Sequence, residues 1–581
     1  MKRLIEIPEH LRPFVVEQKP ELYTSVDHES WRFIMRIGSA FFEKSAHKKY
    51  LNGLKETGIS IERIPLISEM DKKLSRWGWR AVAVSGFIPP SVFLEFQSLG
   101  ILAIACDMRK LEHLAYTPAP DIVHEAAGHA PIIADPSYRN YLQAYGNVAR
   151  RAIFSLKDME VYEAVRSLSE LKEDPESTTD QINAAQLRLD HATAENNYVS
   201  EANQLTRMAW WTVEYGLIGD FSNPKIFGAG LLSSVSESYN CFNEKIIKIP
   251  FTIDCINVSY DITKPQPQLF VAPNFEVLTK ALQEYENTMG YIRGGVEGLA
   301  KAKMAQTLTT VELDSGLQIS GVLKNFSVDE ENSPTFLKYE SSVQLSYHDH
   351  QVEGHGTETH HHGFSTPIGR VRVGAKFKCA SKLSESDLKK LGFYKNKPGV
   401  MRFESGAELR GVLISKIKKQ GKFLILSFKS CTIKNKTKSL YQPDWGTFDL
   451  ACGCEIKSVF GGAADRTAFI RSQKSLLNKM PSQKTNLSSE NKRQSELYEQ
   501  IASIRNSKLI SKSQIEILSQ VFYESNEKYP EDWLLPMNVL EIVWNHKDKT
   551  PFFQELITCL ELHKRSNEEK RSLIDRGLAL L

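Results

Sequence analysis

Two histidines and a glutamate crowd into His124-Glu125-Ala126-Ala127-Gly128-His129, between Pro120 and Pro131. Neutral imidazole is a common metal ligand, and a carboxylate beside it can serve as ligand, acid or base. The spacing is one residue longer than H-E-x-x-H, where histidines at i and i+4 share a helical face and bind zinc. Five residues of α-helix turn about 500°, which leaves the side chains roughly 140° apart. A continuous α-helix would not aim both at one ion. Gly128, a residue type common where helices stop, is expected to end the helix. His124 would then sit in the last turn and His129 just beyond it.

A third ligand must come from elsewhere. Glu214, in "RMAWWTVEYGLIG", is flanked by Trp210, Trp211, Val213 and Tyr215. A carboxylate in such apolar company is costly to bury unless it is paired or bound to metal. Two imidazoles and one carboxylate with open positions make the facial triad of non-haem Fe(II) oxygenases. Each residue taken singly is more often a satisfied structural residue than a ligand. A zinc hydrolase stays open as an alternative, disfavoured by the i, i+5 spacing.

The segments "YTPAPDIVHEAAGHAPIIADPSY", "WWTVEYGL" and "GAGLLSS" resemble signatures of the pterin-dependent aromatic amino acid hydroxylases. "CDMRKLEHLAYTPAPD" and "QPQLFVAPNFEVLTKALQEY" extend the resemblance to roughly residues 1–300. It implies a mainly α catalytic domain with Fe(II) held by His124, His129 and Glu214. Glu125 would lie beside the pterin (tetrahydrobiopterin or a related tetrahydropterin) and act with it, and Phe93 would stack on its ring. Arg109, Thr117 and Ser233 would hold the amino acid carboxylate, Ser233 also supporting a ligand histidine, with Trp210 and Pro120 walling the aromatic ring. The implied reaction is that of a monooxygenase, placing one atom of O₂ on the ring of a free aromatic amino acid and the other on the pterin. Phenylalanine to tyrosine is the expected conversion, because Ile262 aligns with a substrate-selecting position. A one-residue slip would put Asp261 there and favour tyrosine. Tyrosine or tryptophan hydroxylation, or a binding protein retaining an inactive hydroxylase domain, are the alternatives.

The elements that must carry these residues follow from periodicity. Residues 1–305 read as mostly helical. Val161, Val165, Leu168 and Leu171, then Ile182, Ala185, Leu189 and Ala192, mark a helical hairpin inserted at about 156–203. Phe275 to Ile292 reads as one further helix. From 306 to 470 alternation and turn signals predict β-structure. "TTVELDSGLQISGVL" and "MRFESGAELRGVLI" share an acidic-Ser-Gly turn and then Gly-Val-Leu, which suggests two related β-modules or a chance likeness of hairpins. Residues 471–492 read as a polar linker and 493–581 as a helical tail. "HDHQVEGHGTETHHHGF" holds His348, His350, His355, His360, His361 and His362. It could bind a second metal, but the corresponding stretch of the other module, "YQPDWGTFDLACGCEI", has no histidine, which favours a flexible loop. Cys452 and Cys454 are expected on one face of a strand.

Composition narrows the rest. A chain of 581 residues predicts two to four domains. The net charge of +3 gives no reason to expect nucleic acid or anionic lipid as a partner. No stretch approaches the length of apolar chain that spans a bilayer, and "MKRLIEIPEHLRPFVVEQ" has no unbroken apolar run of the signal-peptide kind. Sparse cysteines suit a cytoplasmic protein. The expected partners are small molecules: the amino acid, O₂ and the pterin.

Overall fold

The computed structural model describes residues 6–472 and 491–581, except 116, 118, 175, 176, 263, 506, 508 and 509. Most of the expected linker, residues 473–490, lies outside the described residues.

The helix Ser25–Ser45 opens the helical part, its start fixed by reciprocal hydrogen bonds between Thr24 and Asp27. Its Trp31, Ile34 and Ile37 enter a large core that also holds Val123, Ala126, Ala127 and Trp211. A small parallel sheet, Arg80–Val84 beside Ile101–Ala105, brackets the helix Pro90–Ser98. A four-stranded sheet runs in the order Lys225–Ile226, Leu217–Ile218, Gln268–Ala272, Ile247–Pro250. It fixes the chain just past Glu214.

The hairpin consists of Leu156–Glu173 and Thr179–Glu195, started by capping boxes at Ser155 and Thr178. Ala164, Leu168, Ala185 and Leu189 are buried between its two helices in a cluster of their own. The Tyr162 hydroxyl donates to the Ile88 carbonyl at 2.9 Å and ties the hairpin to the domain. The single helix expected over Phe275 to Ile292 is two, Phe275–Glu286 and Gly290–Arg293. The break lets the Gly290 N–H donate to the buried Glu201 carboxylate at 2.7 Å, a tertiary contact that periodicity does not encode.

The helix Gly295–Ala305 stops at Gln306 (φ 57°), and the strand Leu308–Leu313 follows. A six-stranded sheet is built on the meander Leu308–Leu313, Leu317–Val328, Pro334–Tyr347, and a five-stranded sheet on Pro398–Arg402, Ala407–Lys419, Lys422–Asn435. Each meander turns at a glycine of positive φ, Gly316 (89°) or Gly406 (85°), a conformation open to glycine at little cost. Each then breaks register around a glycine, Gly321 or Gly411. Each third strand also pairs with a later strand, Phe364–Pro367 or Phe448–Ala451. The two meanders share strand order and bulge position, while the first sheet adds the strand Ile456–Gly461 beside Leu308–Leu313.

Two expectations for this region change. The strand Phe448–Ala451 ends before Cys452, so Cys452 enters the core while Cys454 turns to Asp314, with Sγ and Oδ2 3.3 Å apart. The histidine-rich stretch is not a loose loop. The Leu345 N–H donates to the His355 carbonyl (2.9 Å) and the Val343 N–H to that of His360 (3.1 Å), so both are pinned to a strand.

The C-terminal helices do not form a tail apart. Leu497, Tyr498, Trp533 and Leu540 share the first core with Trp31 and Phe33, and Phe33 meets Trp533 edge-on at 5.1 Å. Buried Arg32 donates to both oxygens of Glu541 at 2.8 and 2.6 Å. Contacts across some five hundred residues leave no trace in local pattern. Among the described residues, no helix is long and apolar enough to cross a membrane.

Candidate active site

Val123–His129 is a π-helical turn. Bonding from i to i+5 winds the chain wider than an α-helix, so residues five apart lie on one side of it. This corrects the expected break at Gly128: the helix is widened rather than ended, and the i, i+5 spacing of the histidines matches the hydrogen-bond span of that turn. Glu214 closes a second π-helical turn, Trp210–Glu214. His124 Nε2 and His129 Nε2 each lie 3.3 Å from a different oxygen of Glu214. The two imidazoles stand perpendicular, 89° between planes. Gly128 has another task. A Cβ there would sit 2.8 Å from the Ala229 carbonyl, so glycine allows the π-turn to press against the short helix Ala229–Ser233.

That contact brings in Ser233, whose Oγ hydrogen-bonds His124 Nδ1 at 3.0 Å and leaves Nε2 for the shared centre. The Ser233 carbonyl accepts from Arg109 Nη1 at 3.1 Å. Arg109 is almost wholly buried, and its fork is held by Asp121 through Nε (2.7 Å) and Nη2 (2.8 Å). Asp121 also accepts from the His124 backbone N–H at 3.0 Å. Reasoning from sequence missed Asp121. Its signal was present, since an Asp just before a helix is a usual cap and a buried Arg needs a carboxylate.

Burial opposes the charge on Glu214, but the facing imidazoles of His129 and His124 outweigh it and hold the carboxyl well below its ordinary range. Glu125 behaves oppositely. Burial pushes its carboxyl up to about 8. Its Oε2 is buried without a hydrogen-bond partner, 4.0 Å from His129 Nε2. An orphaned polar atom at this point suits a bound group that would supply a partner.

Arg109, Thr117, Pro120 and Asp121 line one cavity, together with Ser169 and Glu170 from the inserted hairpin. Thr117 Oγ1 donates to the Ala119 carbonyl at 3.0 Å. Trp210 stacks on Tyr260 (4.3 Å) and Tyr215 (4.6 Å), and its Nε1 donates to Gln266. Phe93 packs in the small cluster of Val82, Val84 and Phe96, apart from the core around His129. Asp261 is exposed and pairs with Lys264 at 3.1 Å, whereas Ile262 is half-buried.

The sequence profile of the biopterin-dependent aromatic amino acid hydroxylases matches residues 16–152 and 186–293. This part of the chain resembles that family. The unmatched gap falls on the first hairpin helix and the start of the second, and the match ends before the two large β-sheets. A phenylalanine-4-hydroxylase of Ralstonia nicotianae is 29% identical over 287 residues, 47% of this chain and 78% of that protein. A tyrosine 3-monooxygenase of Schistosoma mansoni is 25% identical over 278 residues, 47% of this chain and 50% of that one. A Chromobacterium violaceum phenylalanine hydroxylase structure, solved with iron(III) and 7,8-dihydrobiopterin, is 25% identical, covering 48% of this chain and 92% of that one at a TM-score of 0.38.

Proposed function

We propose that the chain hydroxylates the ring of a free aromatic L-amino acid, phenylalanine to tyrosine, using Fe(II), a tetrahydropterin and O₂. The observation that carries this reading is the meeting of His124, His129 and Glu214 on two π-helical turns, backed by Ser233. Two imidazoles and a carboxylate on one side of an ion leave its other positions open, the donor set of Fe(II) oxygenases. When bound, iron and pterin supply the activation of O₂.

The chain's own residues do the positioning. Ser233 fixes the tautomer and plane of His124. Asp121 orients Arg109, which with Thr117 faces the amino acid carboxylate, and Arg suits this because its fork matches two oxygens. Pro120 and Trp210 border the aromatic ring, Trp210 held flat by Tyr260 and Tyr215. Glu125, its carboxyl raised by burial and its Oε2 without a partner, lies beside the trio, where a bound pterin or water would meet it. Half-buried Ile262, set against exposed Asp261, supports phenylalanine over tyrosine, as do the phenylalanine hydroxylases among the relatives.

Turnover of phenylalanine, tyrosine and tryptophan, each with Fe(II) and tetrahydrobiopterin, tests the reading. Tyrosine formation from phenylalanine at the highest kcat/KM is expected. A preference for another ring overturns the substrate assignment, and no turnover with any of the three overturns the reaction.

A further inference from the structure

A second set of metal-type donors lies outside the hydroxylase region, where nothing in the proposed reaction uses it. His355 and His360 belong to the first β-sheet, on the connection between His350–Gln351 and Phe364–Pro367. Asp449 comes from the second, on the strand Phe448–Ala451, paired with Ser427. The stretch without histidines in the second module thus supplies the carboxylate that meets two histidines of the first. His355 Nδ1 lies 3.2 Å from His360 Nε2. Asp449 Oδ2 lies 3.8 Å from His355 Nδ1 and 4.0 Å from His360 Nε2. Donors about 2.0–2.1 Å from a tetrahedral zinc stand roughly 3.4 Å apart, so a small inward movement closes this triangle on an ion.

We propose that His355, His360 and Asp449 bind a zinc-type divalent ion that staples the two β-sheets together. Three observations carry it. First, the three side chains are 12%, 8% and 8% exposed, so this is a built interior site and not a surface tangle. The other four histidines of the stretch, His348, His350, His361 and His362, are exposed. Secondly, the backbones of His355 and His360 are pinned by the Leu345 and Val343 N–H groups, so the rings are presented from a fixed frame. Thirdly, the carboxylate lacks a cation. Among the described residues its ion-pair neighbours are these two imidazoles alone, with no lysine or arginine. A buried carboxylate without a cation is costly, and a divalent ion satisfies all three groups at once. The seam is already tied where the Ala451 N–H donates to Thr366 Oγ1 at 3.1 Å.

The test is metal content of the full chain after exchange against a weak chelator, in a Glu214→Ala background that removes the iron trio. One tightly held equivalent of zinc is expected in Glu214→Ala and its loss in Glu214→Ala/His360→Ala. Glu214→Ala/Asp449→Asn, which keeps the shape of the second side chain, covers the case where Glu214→Ala/His360→Ala fails to fold, and should lose the same equivalent. Cobalt(II) substituted into Glu214→Ala should absorb as a nitrogen- and oxygen-ligated ion without a thiolate charge-transfer band, separating this trio from the donors Asp314, Cys379 and Cys454, which gather elsewhere in the β-region. Equal zinc in Glu214→Ala and both double variants, or none tightly held in Glu214→Ala, overturns the proposal.

Discussion

Asp121→Ala should unsettle the hydroxylase region more than any other exchange of one carboxylate. The Asp121 carboxylate accepts four hydrogen bonds: from Arg109 N (3.2 Å), Nε (2.7 Å) and Nη2 (2.8 Å), and from His124 N (3.0 Å). The pair is only 1% and 4% exposed. Removing the carboxylate leaves a guanidinium without its counter-charge in the interior, at a cost of about 3–5 kcal/mol. At about 2–4 °C per kcal/mol for a domain of this size, Tm should fall by roughly 6–20 °C. Thermal unfolding followed by circular dichroism reads the change. The companion variant Arg109→Met/Asp121→Leu removes both charges, so it should recover most of the loss while abolishing substrate binding. If Asp121→Ala costs under about 1 kcal/mol, or the double variant is as unstable as the single one, Arg109 is not held as argued.

Ser233→Ala should leave the fold intact and weaken iron binding by about 10–100-fold, since the partner of a ligand histidine is lost; unchanged affinity in a metal-competition titration would contradict the geometry. Acid should weaken the docking of the β-region. Burial would raise Glu95, but His10 and Arg466 outweigh it and hold its carboxyl at about 2 against an ordinary 4.5. The folded value lies below the unfolded one, so up to about 3 kcal/mol is present above pH 4.5 and is lost as pH falls towards 2. Denaturation curves between pH 6 and 3 should steepen this loss in the wild type and flatten in Glu95→Gln. Trp533→Ala should cost about 3–5 kcal/mol and destabilise the hydroxylase region together with the C-terminal helices; proteolysis of those helices alone would contradict a shared core.

What the sequence carried well was chemistry at close range. The donor types of His124, His129 and Glu214 were legible because burying a glutamate among tryptophans needs a reason. The hairpin was legible from its helical spacing, and the strand meanders from alternation around Asp314-Ser315-Gly316 and Glu404-Ser405-Gly406. The manner in which the histidines converge was not, because a π-turn differs from a broken α-helix in hydrogen-bond register and not in composition. Asp121 was legible as a helix cap, but its pairing with Arg109, twelve residues away across a turn, was not. Contacts over long stretches were the least legible. Glu541 meets Arg32, Trp533 meets Phe33 and Asp449 meets two histidines of another sheet, and no periodicity encodes such pairings.

The central claim is that His124, His129 and Glu214 hold the iron that makes this chain a hydroxylase. It is tested most directly by tyrosine formed per bound Fe(II) from phenylalanine, tetrahydrobiopterin and O₂, in the wild-type chain and in Glu214→Ala. The account predicts steady turnover with one catalytic iron in the wild type, and loss of both that iron and the tyrosine in Glu214→Ala. Tyrosine formation that survives Glu214→Ala with its iron in place would contradict it.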